Sequence, residues 1–378
     1  MSVDSPGLSP QLEAEQAVLG ACLLVPGQLD SLRSWLEPRH FLRPAHGQFF
    51  AVLLAQRDET PLPTTSDQHR DWALRAMASG SRTIPGFSAS YGQSLISACP
   101  AADHATAYGR MVLETAVRRA LEQHAHRLLA ASESGSVRST IDLTTALHTV
   151  IDQLTTAWGT IDVRSTKPLP APDAQAGPRS GRAAAAARDN ERMLLASLIE
   201  SPARISETAT WLTDSDFIAP EHGAVYKALT ALAHRGEPVD ELTALWEVQR
   251  RGALASGTTT VEQVRSLLAP GMPGDPDYWA ERVLRASLLR ASATSAGIVR
   301  VLALDASVSA GTLLGDSLRA LEPADRLQQR HRAALGSTGP ERRGPIVLGA
   351  RRQAATRTTA VGPDRSARPA AEPSPPRR

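Results

Sequence analysis

Histidines lie beside acidic residues at several places in the chain, and such pairs could support acid–base catalysis or metal binding. They occur at Asp67–His69, at His104 and at Glu122–His126. His124 and His126 are two residues apart, so a helix would direct them about 200° from each other and they could not share a metal ion. No Ser/His/Asp or Cys/His order can be argued from spacing. We therefore expect solvated or helix-capping roles for these residues and no catalytic site.

The two cysteines, Cys22 and Cys99, form neither a CxxC pair nor a cluster with histidines. A zinc site needs several Cys or His ligands at short, characteristic spacings. Each cysteine lies among apolar residues, where a thiol usually packs as a small hydrophobe. The sequence therefore predicts no metal site, and no other residue pattern indicates a cofactor.

A nucleotide-driven motor would need a loop of the form GxxxxGK[ST], whose backbone amides cradle phosphates and whose lysine neutralises them. The chain has two lysines, Lys167 and Lys227, and glycine precedes neither. The stretch Gly177–Ala185 offers glycines but no Lys-Ser or Lys-Thr pair. Strand-like runs are nearly missing from the sequence, which leaves no parallel sheet to carry a nucleotide. We expect neither ATP hydrolysis nor any other enzymatic activity.

Arginines near the C-terminus are the candidates for nucleic-acid contact. Residues 336–378 hold nine Arg and three acidic residues, a net charge of +6, whereas the whole chain carries +2 and the remainder therefore −4. Such arginines could neutralise phosphates with release of counterions. No aromatic residue interleaves them, so base stacking is not expected. The alternative is a solubilising, disordered extension. The principal candidates are Arg342, Arg343, Arg351, Arg352 and Arg357.

Composition favours helices throughout the chain. Hydrophobic residues make up 42% and aromatic residues 4%, so the cores must consist mainly of Leu, Ala and Val, and Ala, Leu and Arg have high helix propensity. Apolar residues recur at helical spacing from Leu12 onward. We predict an all-α protein with two similar helical bundles at residues 11–158 and 188–335. A flexible N-terminus (1–10), a Pro/Gly/Ala linker (159–187) and a disordered tail (336–378) complete it.

The two predicted bundles share a sequence motif. "WLEPRHFLRPAHGQFF" (35–50) and "WLTDSDFIAPEHGAVY" (211–226) match at a constant offset of 176 residues. For the aromatic residues we expect core packing, for the prolines a helix start and for the histidines a local hydrogen bond. The markers of the repeat are Trp35, Phe41, Pro44, His46, Trp211, Phe217, Pro220 and His222.

A second phrase extends the repeat to a whole domain. "AYGRMVLETAVRR" (107–119) matches "YWAERVLRASLLR" (278–290) after one gap. A repeated unit of this length is too long for a solenoid repeat. The chain therefore carries two copies of one helical domain, which we call copy 1 and copy 2.

These phrases resemble the N-terminal domain of DnaB-type bacterial replicative DNA helicases. The family's E-x-E-x-x-x-L-G-x-x-L opening is similar to "EAEQAVLGACLL" (13–24), and its D-F-x-x-x-x-H phrase to "HFLRPAH" (40–46) and "DFIAPEH" (216–222). Its Y-A-x-x-V-x-E-x-x-x-x-R phrase is similar to "YGRMVLETAVRR" (108–119). Copy 2 has Trp279 in place of the Tyr and Arg285 in place of the Glu. In the family an ATPase follows this domain, whereas here a second copy and a basic tail follow.

The resemblance implies a role in protein interaction. In the family this domain pairs through its C-terminal helical hairpin and docks primase, and loaders engage the helicase. We therefore expect helicase, primase or loader as partner, or pairing of the two copies with each other. The surface would include Tyr108, Met111, Val112, Arg118, Arg119, Trp279, Val283, Leu288 and Arg290.

Other readings stay open at this point. One is an accessory protein that binds nucleic acid through its tail, and another is a relic of a helicase gene with no replication role. The N-terminal residues lack the basic-then-apolar order of a secretory signal, and we see no run approaching the ~20 apolar residues of a membrane span. We expect a cytoplasmic protein.

Overall fold

The computed structural model describes residues 9–159, 167–172, 181–269 and 274–337, and these contain fourteen α-helices, three short 3₁₀ turns and no strand. The all-α prediction is confirmed. Copy 1 begins with α1 (Pro10–Leu24), α2 (Gln28–Leu32), a 3₁₀ turn (Pro38–His40), α3 (Pro44–Glu59), α4 (Ser66–Thr83) and α5 (Ala89–Ser97). It ends with a 3₁₀ turn (Ala102–His104) and a hairpin of two long helices, α6 (Ala105–Glu133) and α7 (Val137–Trp158).

Copy 2 repeats this order. It contains α8 (Gly181–Glu200), α9 (Ala203–Thr208), a 3₁₀ turn (Asp214–Asp216), α10 (Pro220–Arg235), α11 (Glu241–Arg250) and α12 (Val261–Leu268). Its hairpin consists of α13 (Pro276–Leu304) and α14 (Ala310–Ser337). α8 begins at Gly181, six residues before the predicted end of the linker at residue 187. The run of alanines after Gly181 explains the early start, because alanine has the highest helix propensity.

Local sequence sets the helix starts in the repeated segments 35–50 and 211–226, which we call the repeated corners. Pro44 and Pro220 lie at the first helical positions of α3 and α10, where a missing N–H costs no hydrogen bond. One turn later, Gly47 and Gly223 pack against the 3₁₀ turn. A Cβ at Gly47 would stand 2.2 Å from the carbonyl oxygen of Pro38, so only glycine lets the helix approach the turn this closely.

Each copy has its own apolar core in what we call the head, the part that precedes its hairpin. The head of copy 1 buries Phe41, Phe49, Phe50 and Trp72 with the leucines of α1 and α2. The head of copy 2 buries Trp211, Phe217 and Tyr226, of which Phe217 and Tyr226 match Phe41 and Phe50 of copy 1. Aromatic side chains bury the most area per residue, which is why so few of them are enough for two cores.

The two hairpins share a third core. α6 and α7 pack against α13 and α14 in a four-helix bundle, and small residues on α13 such as Ala293 and Ala296 let α6 approach closely. The tip of each hairpin reaches the other copy. Val137, at the start of α7, packs into the core of copy 2, and Arg118 of α6 contacts the α13–α14 loop. α6 and α13 therefore run antiparallel.

α13 is long and apolar enough to cross a membrane by length and composition alone. The central helix of a packed core passes the same test, and more than half of its apolar window is buried against neighbouring helices. Its hydropathy is accounted for by the four-helix bundle.

Candidate functional site

A buried carboxylate organises the repeated corner in copy 1. Glu15 of α1 accepts hydrogen bonds from the backbone N–H groups of Leu42 and Arg43. It also contacts His46, whose Nδ1 lies 2.7 Å from its carboxylate. The other ring nitrogen of His46 lies 2.7 Å from the hydroxyl of Tyr91 on α5. Both ring nitrogens of His46 are therefore paired, which indicates a structural role. The partners lie 31 and 45 residues away in sequence, so the predicted local hydrogen bond is replaced by long-range ones.

The same arrangement recurs in copy 2 without the tyrosine. Glu191 accepts from the backbone N–H groups of Ile218 and Ala219, and His222 Nδ1 lies 2.8 Å from its carboxylate. When α5 and α12 are aligned at their N-caps, Gln263 occupies the position of Tyr91. The Glu–His pair thus occurs in both copies, whereas the tyrosine that contacts the histidine, Tyr91, belongs to copy 1.

An arginine at the same position in both copies connects each hairpin to the 3₁₀ turn of its own copy. Arg119 of α6 donates to the carbonyl oxygens of His40 (3.1 Å) and Phe41 (3.3 Å). Arg290, its counterpart on α13, donates to the carbonyl oxygen of Asp216 at 2.5 Å. Burial lowers the pKa of both guanidinium groups. These arginines hold the head and the hairpin of each copy together.

The residue inside the 3₁₀ turn differs between the copies. In copy 1 it is His40, whose Nδ1 accepts the backbone N–H of Glu37 at 3.0 Å. Burial lowers the pKa of His40 to about 4, so this ring is neutral at pH 7. In copy 2 the same place holds Asp216, which accepts the N–H of Thr213 at 2.7 Å. Both side chains close the turn by the same backbone bond.

Asp216 has further partners that His40 lacks. Arg330 of α14 donates to both of its oxygens, at 2.7 and 2.9 Å, and Ser287 of α13 donates at 2.9 Å. This bidentate geometry is the favoured one for an arginine and a carboxylate. A buried negative charge is therefore fully compensated where copy 1 has a neutral ring.

Beside Asp216 lies an open groove of about 910 Å³ between the 3₁₀ turn, α13 and α14. We call it the copy 2 groove. Its charged and polar walls include Ser215, Asp216, Arg290, Thr294, Arg326 and Arg330. At the matching place in copy 1, Arg39 replaces Ser215 and donates to Gln153 of α7 at 3.2 Å. The long side chain bridges turn and hairpin there, whereas the serine leaves the gap open.

Polar contacts join the two copies in the four-helix bundle. Arg118 donates to the carbonyl oxygen of Asp305 at 2.7 Å and to that of Val308. His148 of α7 lies 3.0 Å from the carboxylate of Asp325 on α14. The hydrogen bond to Asp325 raises the pKa of His148 although partial burial opposes it. Apolar and polar contacts together hold the two hairpins against each other within one chain.

The predicted partner-binding residues fall into distinct groups. Three are buried in the head core of their own copy, namely Val112, Val283 and Leu288. Tyr108 and Trp279 are half-buried against those cores, and Arg118, Arg119 and Arg290 make the contacts described above. Met111 is 53% exposed. Of these residues, Met111 offers the most open apolar side chain to a separate protein.

An exposed apolar pair lies elsewhere, on α11. Leu242 and Trp246 are 73% and 66% exposed and lie one turn apart on the same face. When α4 and α11 are aligned at their N-caps, Asp67 and Asp71 occupy these positions in copy 1. Sequence reasoning did not single out this pair, although its departure from the acidic pattern of copy 1 is visible in the sequence.

Two other features escaped sequence reasoning. Nothing next to Glu15 in the sequence marks it as buried, and its constant offset from Glu191 was the available signal for a shared role. Arg330 gave no signal, because it lies far along the chain from Asp216. The predicted tail arginines Arg342, Arg343, Arg351, Arg352 and Arg357 lie outside the described residues. Within the described part of the chain, no group of three metal-ligating side chains comes together.

Comparison with known proteins agrees with the architecture. A family model described as the DnaB-like helicase N terminal domain matches residues 8–114 and 184–269, one segment in each copy. The chain is similar to the replicative DNA helicase DnaB of Treponema pallidum (strain Nichols), with 32% identity over 144 residues. That alignment covers 37% of this chain and 31% of the helicase, so the chain spans about a third of this relative's length. No solved structure matches the chain.

Proposed function

Because the chain belongs to the DnaB-like helicase N-terminal domain family, we propose that it is a non-catalytic interaction module of the replication machinery, in which two collar-like domains are fused and paired within one chain. The observation that carries the proposal is the four-helix bundle of α6, α7, α13 and α14. It uses up the hairpin surfaces through which family domains pair. The two copies are then paired with each other, and the protein binds its partner as this pair instead of joining a helicase ring as an additional subunit.

The partner we propose is the replicative helicase, with primase or a helicase loader as the next candidates. The named relative is itself a replicative helicase, and the matched segments correspond to its family's N-terminal domain. Surfaces remain open for such a partner at Met111, at the Leu242/Trp246 pair and at the copy 2 groove. The sequence contains no GxxxxGK[ST] loop, which supports a role without nucleotide hydrolysis, and we place this role in the cytoplasm.

The first test is light scattering on a sizing column, with the full chain alone and then mixed with the host's replicative helicase. We expect a monomer that co-elutes with the helicase hexamer. A helicase that lacks its own N-terminal domain serves as the control and should not retain the protein. Separate mixtures with primase and with the loader follow. A protein that elutes alone from all three mixtures would refute the proposal.

A second candidate function rests on the basic tail, which could contact nucleic acid. A salt-sensitive shift of DNA in the full chain that disappears on removal of residues 338–378 would support it. Helicase or primase binding that survives the same truncation would favour the interaction module.

A further inference from the structure

The copy 2 groove combines an excess of positive charge with an apolar floor. Three guanidinium groups, those of Arg290, Arg326 and Arg330, line it together with a single carboxylate, that of Asp216. Arg330 already neutralises Asp216 through two hydrogen bonds. The charge of Arg290 is favoured by the buried Glu191 as well as by Asp216. Arg326 is therefore the cation of the groove that has no acid partner among the residues lining it. We infer that the groove binds an acidic segment of a partner protein.

The hydrogen-bond donors of the groove are not all engaged. The terminal nitrogens of Arg326 lie near a carboxylate only at 3.9 Å, that of Glu322, and both side chains are more than half exposed. Such an exposed pair contributes little and exchanges its partner easily. At the base of the groove, Nη1 of Arg290 is buried and has no hydrogen-bond partner among the described residues. Arg119 has the same orphan nitrogen in copy 1, so the feature specific to copy 2 is the open approach to Arg326.

The open approach has a local cause. Ser215 stands where copy 1 has Arg39, and Arg39 spans the corresponding gap to reach Gln153. The serine side chain is too short for that bridge. Copy 2 thus has an accessible cleft at a place that copy 1 covers with its own side chain, and an occupant would bind one face of the molecule only.

The shape of the groove favours a peptide over nucleic acid. Pro323, Leu327 and Ala333 provide apolar surface between the arginines, which suits the side chains and backbone of a peptide. Nonspecific nucleic-acid binding instead needs a row of cations that follows the phosphate backbone, with aromatic platforms for the bases. No aromatic residue lines the groove within the described chain. A carboxylate-rich peptide is the better chemical match.

Fluorescence anisotropy tests the inference with the full chain. The probe is a short fluorescein-labelled peptide of alternating Glu and Ala, and its matched peptide has Gln at each Glu. The variants are Arg326→Gln, which removes the exposed cation, and Thr294→Glu, which adds a carboxylate to the groove wall. Thr294→Gln controls for size, and Arg192→Gln removes an exposed arginine elsewhere in copy 2. The C-terminal arginines are present in every variant, so their background is constant.

We expect Arg326→Gln and Thr294→Glu to weaken binding of the Glu peptide by at least about threefold, whereas the two controls leave it unchanged. The Gln peptide should bind more weakly to the unaltered chain. Equal binding of all variants would overturn the inference. An oligothymidylate of the same charge that binds more tightly than the Glu peptide, and loses its binding with Arg326→Gln, would overturn it in favour of nucleic acid.

The inference deepens the proposed function, on which it rests for the kind of partner, by naming the chemistry of that partner. The two can fail separately. The peptide experiment contains no helicase, so peptide binding without co-elution would refute the choice of partner and leave the groove assignment intact. Co-elution that is unchanged in Arg326→Gln, with no peptide binding, would refute the groove assignment and leave the choice of partner intact.

Discussion

The two repeated corners solve one structural problem with different chemistry. In both, a buried Glu holds the start of a helix and an Arg from the hairpin holds the 3₁₀ turn. Inside the turn, copy 1 places the neutral ring of His40 and copy 2 places the charged Asp216. The backbone needs only an acceptor at that point. The turn can therefore hold any side chain that supplies a hydrogen-bond acceptor, provided that the other polar atoms of that side chain are also paired.

The unlike residue changes what surrounds it. A buried carboxylate needs compensating charge, and Arg330 of α14 supplies it. The neutral His40 needs none, and copy 1 instead ties its turn to α7 through Arg39 and Gln153. The groove in copy 2 therefore reflects two differences: Asp216 with Arg330 supplies its charged groups, and Ser215 is too short to span the gap as Arg39 does in copy 1.

The largest effect should come from the element that both copies share. Glu15→Ala and Glu191→Ala each leave two backbone N–H groups and a histidine without their buried acceptor. We expect each to lower the free energy of unfolding by about 3–5 kcal/mol, measured by urea denaturation. Glu15→Gln and Glu191→Gln keep an acceptor of the same size and should cost less. A small effect in one copy alone would break the equivalence of the two corners.

The next prediction uses the residue that differs. The pKa of His40 is lowered from 6.5 to about 4 by burial, so the unfolded chain binds a proton that the folded chain does not. Stability should therefore fall as pH drops from 6.5 towards 4, by about 3 kcal/mol from this group. His40→Asn keeps a side-chain acceptor for the Glu37 N–H and removes the titration.

The comparison for this prediction is the difference in unfolding free energy between the wild-type chain and His40→Asn at several pH values. That difference should change between pH 6.5 and 4 and stay constant above pH 7. A pH-independent difference would show that the pKa of His40 is the same in the folded and unfolded chains, and would contradict the lowering of that pKa by burial.

A smaller effect is expected from the member found in copy 1 alone. Tyr91→Phe removes the hydroxyl that pairs with His46 at 2.7 Å and should cost about 1 kcal/mol. In copy 2, Gln263→Ala changes the aligned position. The Gln263 side chain accepts from the Thr260 N–H and the Thr259 hydroxyl, so this variant serves as the contrast. Thermal unfolding of both variants, with and without Glu15→Gln, would show coupling for Tyr91 and none for Gln263.

The smallest effect concerns the contact between the copies. The pKa of His148 is raised by its hydrogen bond to Asp325, so its contribution to stability is complete below pH 6.5 and is lost as the pH rises through the raised value. His148→Asn should reduce stability more at pH 6 than at pH 9. The pair is partly exposed, so high salt should diminish the effect. An effect that grows with pH would contradict the assignment.

Much of the architecture could be predicted from residues alone. Helical spacing and composition indicated an all-α chain, and the constant offset of 176 residues showed that a domain is repeated. Pro44 and Pro220 marked helix starts because the fixed φ of proline suits the first turn. Such features depend on local backbone preferences, which act in the same way whatever the rest of the chain does.

The tertiary structure decided what depends on distant parts of the chain. Glu15 and Glu191 are ordinary helix residues by sequence, and only the fold carries the 42–46 and 218–222 segments onto them. Arg330 meets Asp216 across 114 residues. The apolar faces of α6 and α13 could have served a core, a partner or each other, because hydrophobic attraction has no direction. Burial of those faces in one four-helix bundle settled the choice, since each hairpin finds in the same chain the surface that covers it.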